Sequence, residues 1–207
     1  MLSFLAHRGQ WSAPVEKNSP AALRLALASG FGLETDFRDL AGALVVSHDP
    51  AAPGAWPAGE LFALAAADAP LALNIKADGL VSLLRPLLQQ YSISHYFCVD
   101  MSVPETLVYR RAGLRFFARE SEYEPSPALY ADAAGVWMDQ FHSDWIAPQH
   151  ILRHLDAGKQ VALVSPELHG RPHEEFWTRL RTAGLHRQTH LMLCTDFPVA
   201  ARDFFHA

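Results

Sequence analysis

The chain alternates between two hydrophobic rhythms. Short apolar runs recur at 3–6, 32–37, 71–76, 96–100, 115–119, 136–139, 161–165 and 191–195. Runs of that length, bounded by Gly, Pro or polar residues, predict strands buried on both faces. Between them, apolar residues at helical spacing predict helices over 19–29, 80–90, 104–112, 127–133, 148–157, 174–183 and 198–205. Start and stop signals agree with several of these. Ser19-Pro20 and Ser102-Val103-Pro104 each pair a capping hydroxyl with a proline near the first turn, and Gly30 and Gly113 stand where their helices stop.

Strand–helix alternation implies a parallel sheet. Eight such units in 207 residues predict an α/β fold, a compact (β/α)8 TIM barrel occupying 1–207 as a single domain, with a doubly wound open sheet as the alternative. One segment breaks the rhythm. After the second strand, "DLAGALVV" reads as a tight turn returning as another strand at 43–47, so a small hairpin extension is expected there. The Pro-, Gly- and Ala-rich stretch beyond His48 then reads as a short connection and not as a second domain.

Composition narrows the class. Half of the residues are hydrophobic and 19% are charged, which marks a globular chain. A net charge of -5, a pI near 6.1 and the lack of any Lys/Arg run argue against a nucleic-acid partner. No apolar run reaches the length of a membrane span. The apolar start before His7-Arg8 is too short for a signal-peptide core and has no basic leader, so a cytoplasmic location is expected. Cys98 and Cys194 lie within apolar strand-like segments, the setting of reduced, buried thiols.

The candidate chemistry sits where the strands end. The first run closes on His7-Arg8, the second carries Glu34 and Asp36, and the hairpin returns His48-Asp49. The third ends in Asn74 and Lys76, the fourth in Asp100, the fifth in Arg119-Glu120 and the sixth in Asp139; Glu167 and His169 follow the seventh, and Thr195-Asp196 close the eighth. In a strand, residues i and i+2 share a face, so Glu34 pairs with Asp36 and Asn74 with Lys76. Packing alone does not account for so many apolar runs ending in ionisable groups, whereas catalytic groups of a (β/α)8 barrel gather at the C-terminal ends of its strands.

The ordered set H-R-G, Asn18-Ser19, E-x-D at 34–36, V-V-x-H-D at 45–49, I-K at 75–76 and the closing C-T-D-F-P resembles the glycerophosphodiester phosphodiesterase family, within the wider group that has the phosphatidylinositol phospholipase C type of barrel. The resemblance implies a phosphoric diester hydrolase with His7 and His48 as general acid and base. It implies a divalent metal, Mg2+ or Ca2+, on Glu34, Asp36 and residue 74, and a phosphate held by Arg8 and Lys76. The chemistry is coherent: imidazoles titrate near neutrality, hard oxygens suit hard cations, and cationic side chains oppose phosphoryl oxygens. The implied partner is a small-molecule phosphodiester of lipid metabolism. Attack by water gives hydrolysis, and attack by a neighbouring hydroxyl of the substrate gives a cyclic phosphate.

This chain departs from the family pattern in three places. The usual P-E-N-[ST] reads Glu16-Lys17-Asn18-Ser19. Most of the usual insertion after H-D is missing, which makes this a short form. Where the family commonly reads E-I-K, this chain reads Asn74-Ile75-Lys76, so the third metal ligand is an amide unless Asp100, Glu120 or Asp139 supplies the charge. That change motivates the alternative of a non-catalytic barrel that binds a phosphorylated ligand. The structural reading of each residue is simpler: a strand-end surface pair for His7-Arg8, a solvent-facing edge for Glu34 and Asp36, a turn for His48-Asp49, a snorkelling side chain for Lys76. Most of the other histidines read as solvated. His169 and Glu167, and the aromatic side chains of Trp11, Trp137 and Phe141, are the further candidates for substrate contact.

Overall fold

The computed structural model describes residues 1–65 and 69–207. Their contacts divide into two compact units, Ala6–Phe116 and Met1–Leu5 with Phe117–Ala207. Strand β1 (Ser3–His7) begins in the second of these and ends in the first.

The Ala6–Phe116 unit continues with α1 (Pro20–Ala28), β2 (Gly32–Leu40), β3 (Ala43–Val46), β4 (Trp56–Pro57), α2 (Ala58–Phe62), β5 (Leu71–Ile75), α3 (Val81–Gln90), β6 (Tyr96–Val99) and α4 (Val103–Arg111). Strands β2, β5 and β6 are parallel neighbours, while β3 folds back antiparallel on β2 and β4 on β3. All five residues of β5 are buried, as expected of a strand covered on both faces. Each fully buried Leu there contributes roughly 1.5–3 kcal/mol through removal of its side chain from water. The first six residues of β2 are buried too, and burial fades only from Arg38 onward, where the strand leaves the core to pair with β3. Phe37, the last buried residue, stacks on Phe62 of α2.

The other unit holds β7 (Phe117–Glu120), β8 (Gly135–Met138), α5 (Pro148–Asp156), β9 (Gln160–Val164), α6 (Glu174–Thr182), β10 (Leu191–Thr195) and α7 (Pro198–His206). Its sheet runs β7-β8-β9-β10, with every pairing parallel. The element order is that of a (β/α)8 TIM barrel carrying a hairpin after its second strand.

Capping explains where the helices begin. Ser19 accepts a hydrogen bond from the Ala22 N–H at the start of α1, and Ser102 accepts one from the Glu105 N–H at the start of α4. Both cysteines are buried and reduced, and burial drives the Cys98 thiol pKa upward.

Two expectations need correction. The helix expected over 127–133 does not form: residues 121–134 run through bends and turns. Leu129 adopts a left-handed backbone with φ 57°, and its carbonyl accepts from the Asp132 and Ala133 N–H groups in a single isolated turn. Seven residues behind two prolines cannot repay helix nucleation. The stretch after His48 is more than a connection, because it forms β4 and α2, tied together by the Trp56 Nε1–H donating to Glu60 at 2.8 Å. Residues 66–68 of that stretch lie outside the described residues.

Candidate active site

Within the Ala6–Phe116 unit, β1, β2 and β5 bring polar side chains to one place. Strand parity puts Glu34 and Asp36 on the same face of β2, and the parallel register sets Asn74 of β5 beside Asp36. The chain leaving β1 is fastened to β2 by the Arg8 N–H, which donates to the Glu34 carbonyl at 2.8 Å. That turn explains the H-R-G triplet. Arg8 and Gly9 both take left-handed backbones, φ 57° and 96°, and a Cβ on Gly9 would lie 2.6 Å from the Ala22 carbonyl carbon of α1. Glycine is required there so that the loop can press against the helix while Arg8 points back to β2.

Asp36, with no exposed surface, is the centre of the cluster. Its Oδ2 lies 2.9 Å from Arg8 Nε and accepts a hydrogen bond of 2.8 Å from Asn18 Nδ2. Its Oδ1 makes no hydrogen bond and lies 3.5 Å from Lys76 Nζ, which is also 3.4 Å from an oxygen of Asp100. Glu34 is equally buried. Its Oε1 accepts from Asn74 Nδ2 at 2.9 Å, while Oε2 makes no hydrogen bond and lies 3.9 Å from His7 Nε2. Burial, and then the neighbouring Asp36 charge, raise the Glu34 pKa from its ordinary 4.5 to about 8, against the opposing pull of the Asn74 hydrogen bond and of Arg8 and Lys76.

Asn18 is the residue that sequence reasoning passed over. Its left-handed backbone, φ 62°, lets its N–H donate to the Arg8 carbonyl while its side chain donates to Asp36 and accepts from the Thr35 hydroxyl at 2.8 Å. The Asn18-Ser19 pair was the available signal. The displaced motif acid, Glu16, has a local task instead: its carboxylate accepts from the Ser12 and Ala13 N–H groups, which lowers its pKa. Lys17 lies over the Trp11 ring, and Trp11 donates to the His7 carbonyl.

His48 stands differently from the rest. Its ring is half exposed and pairs with Asp49 at 2.8 Å, and its carbonyl accepts from Arg38 Nε. The chain links it to the cluster, since the preceding residue, Ser47, donates its N–H to the Asp36 carbonyl at 3.0 Å.

The remaining candidates lie in the other unit. Glu120 is engaged by Arg153 and by buried His154, each at 2.6 Å, and His154 also meets the Tyr130 hydroxyl. Burial pushes the Glu120 carboxyl up, but the hydrogen bonds from His154 and Arg153 outweigh it and hold the pKa below its ordinary value. Asp139 pairs with His169 at 2.6 Å beneath the Phe141 ring. Glu167 accepts from the Thr195 hydroxyl and the Asp196 N–H. Trp137 is buried within β8.

Among the described residues, no three His, Cys, Asp or Glu side chains form a group that could hold a metal ion by themselves. Two carboxylates and an amide do converge, however. Glu34 Oε2, Asp36 Oδ1 and Asn74 Oδ1 are buried oxygens without a hydrogen bond. Leaving three such acceptors unpaired in the interior is costly, and a hard cation that takes oxygen ligands is the chemistry that would satisfy them. The residues therefore fit Mg2+ or Ca2+ in donor type, with one charge fewer than three acids would give.

The fold is that of the glycerophosphodiester phosphodiesterases. The structure aligns with the glycerophosphodiester phosphodiesterase of Thermotoga maritima over 98% of each chain, with a TM-score of 0.71 and 14% sequence identity. No family model and no curated protein matches the sequence. Among the described residues, no helix is long and apolar enough to cross a membrane.

Proposed function

We propose that this protein is a divalent-metal-dependent phosphodiesterase acting on a glycerophosphodiester, or a related small phosphodiester of lipid metabolism, in the cytoplasm. The observation that carries the reading is the cluster on β1, β2 and β5, where three unpaired buried oxygens stand beside Arg8, Lys76 and His7. The barrel shared with the Thermotoga maritima enzyme supports it by analogy of fold.

In this reading Glu34, Asp36 and Asn74 hold Mg2+ or Ca2+, which supplies positive charge against a phosphoryl oxygen. Arg8 and Lys76 bind the other phosphate oxygens, Arg8 through its planar fork. One imidazole of His7 and His48 takes the proton from the attacking oxygen as its bond to phosphorus forms. The other gives a proton to the departing alcohol as the second P–O bond breaks. Attack by water yields a phosphomonoester and an alcohol. Attack by a hydroxyl of the substrate would yield a cyclic phosphate and the same alcohol.

The neutral amide at Asn74 and the exposed ring of His48 favour one rival, a barrel that binds a phosphorylated ligand without cleaving it. Incubation with a panel of glycerophosphodiesters and Mg2+, followed by phosphorus NMR, separates the readings. We expect a phosphomonoester to accumulate. Protection of the fold against heat with no product would establish the binder, and a cyclic phosphate as end product would establish a lyase.

A further inference from the structure

Asp36 has one oxygen committed and one open. Arg8 and Asn18 take Oδ2, so any cation reaches this carboxylate through Oδ1, and the nearest positive group to Oδ1 is the Lys76 ammonium at 3.5 Å. With Asn74 in the third position, the site has only two carboxylates, and a lysine settling fully onto Oδ1 would cancel one of them. What opposes this is Asp100, whose Oδ2 lies 3.4 Å from the same ammonium. Its placement is fixed by the backbone. Val99, the last residue of β6, is in register with Asn74, and Asp100 then turns into a left-handed conformation, φ 69°. A non-glycine residue takes that conformation only where its surroundings enforce it, and Asp and Asn tolerate it best.

We infer that Asp100 is a positioning residue acting through Lys76: it draws the ammonium off Asp36 and so keeps Asp36 Oδ1 available to the divalent cation. This rests on the metal-dependent reading above. It assigns Asp100 a role distinct from that of a ligand, because the carboxylate works on the lysine and not on the ion. It also explains how a site with an amide at position 74 retains enough negative charge. Lys76, shared between two acids, stays at the rim, where a phosphate oxygen can replace Asp100 as its partner.

The test is a double-mutant cycle read by calorimetric titration of Mg2+, and separately of Ca2+, into the metal-free protein. Asp100→Asn suits the backbone, since asparagine also accepts a positive φ, and thermal melting checks that the fold is retained. We expect Asp100→Asn to weaken metal binding about fivefold, the scale of a partly exposed ion pair. Lys76→Met should bind metal at least as tightly as the parent protein. Adding Asp100→Asn to Lys76→Met should then cost nothing further, because the competing ammonium is gone. Equal weakening in both backgrounds would overturn the inference and make Asp100 a direct contributor to the cation. Unchanged affinity in Asp100→Asn would overturn it as well, leaving the phosphodiesterase reading untouched. If the parent protein bound neither ion, both would fall.

Discussion

Replacing Glu34 with Gln should change how the stability of the metal-free protein depends on pH, and the size of the change follows from the site. The Glu34 carboxyl is fully enclosed and stands beside the Asp36 charge, which raises its pKa from 4.5 to about 8. The folded protein therefore holds a proton on Glu34 across a window in which the unfolded chain has released it. The protonated carboxyl contributes stability in full below the unfolded value near 4.5, and loses it progressively as pH rises to about 8. Within the window each pH unit costs about 1.4 kcal/mol, so the step from pH 6 to pH 7.5 costs roughly 2 kcal/mol. In a chain of this length that is about 4–8 °C in Tm. Gln keeps the acceptor for Asn74 Nδ2 and cannot titrate. Thermal or urea unfolding of both proteins in chelator, between pH 5 and pH 8, reads the difference directly. The parent curve should fall relative to the Glu34→Gln curve by that amount. Addition of Mg2+ or Ca2+ at pH 8 should then stabilise the parent protein and leave Glu34→Gln nearly unmoved, since the cation favours the ionised carboxylate. Parallel pH curves in chelator would refute the reasoning, because they would mean that Glu34 is already ionised without metal.

Two further substitutions address the catalytic pair and the loop that carries it. His7→Ala and His48→Ala should each lower kcat by about 100-fold or more with unchanged melting behaviour, as measured by phosphorus NMR of product; a His48→Ala protein with full turnover would remove His48 from the acid–base pair. Gly9→Ala should destabilise the fold by more than about 2 kcal/mol, because the new methyl meets the α1 backbone at 2.6 Å in a left-handed conformation. A Gly9→Ala protein that melts like the parent would show that the loop after β1 can move off the helix.

Much of this was legible in the chain because period and parity are local properties. The parallel strands are buried runs of four to nine residues, and each acid of Glu34-Thr35-Asp36 could be assigned a face by counting alone. What escaped depends on backbone handedness and on distant partners. Leu129 turns left-handed where a helical pattern was expected, and nothing in its side chain announces it. Asn18 reaches Asp36 because a left-handed residue reverses the loop after β1, a geometry that no spacing rule encodes. Lys76 was readable as a phosphate-facing cation, but its sharing between Asp36 and Asp100 follows from the register of β2, β5 and β6. The two-residue β4 and five-residue α2 were hidden for the opposite reason, being too short to establish a period.

The most direct test of the central claim is turnover of a glycerophosphodiester measured before chelation, after it, and after Mg2+ or Ca2+ is restored. The account predicts phosphomonoester release that stops with the chelator and returns with the ion. Release that continues undiminished in chelator, or no release with the metal present, would contradict it.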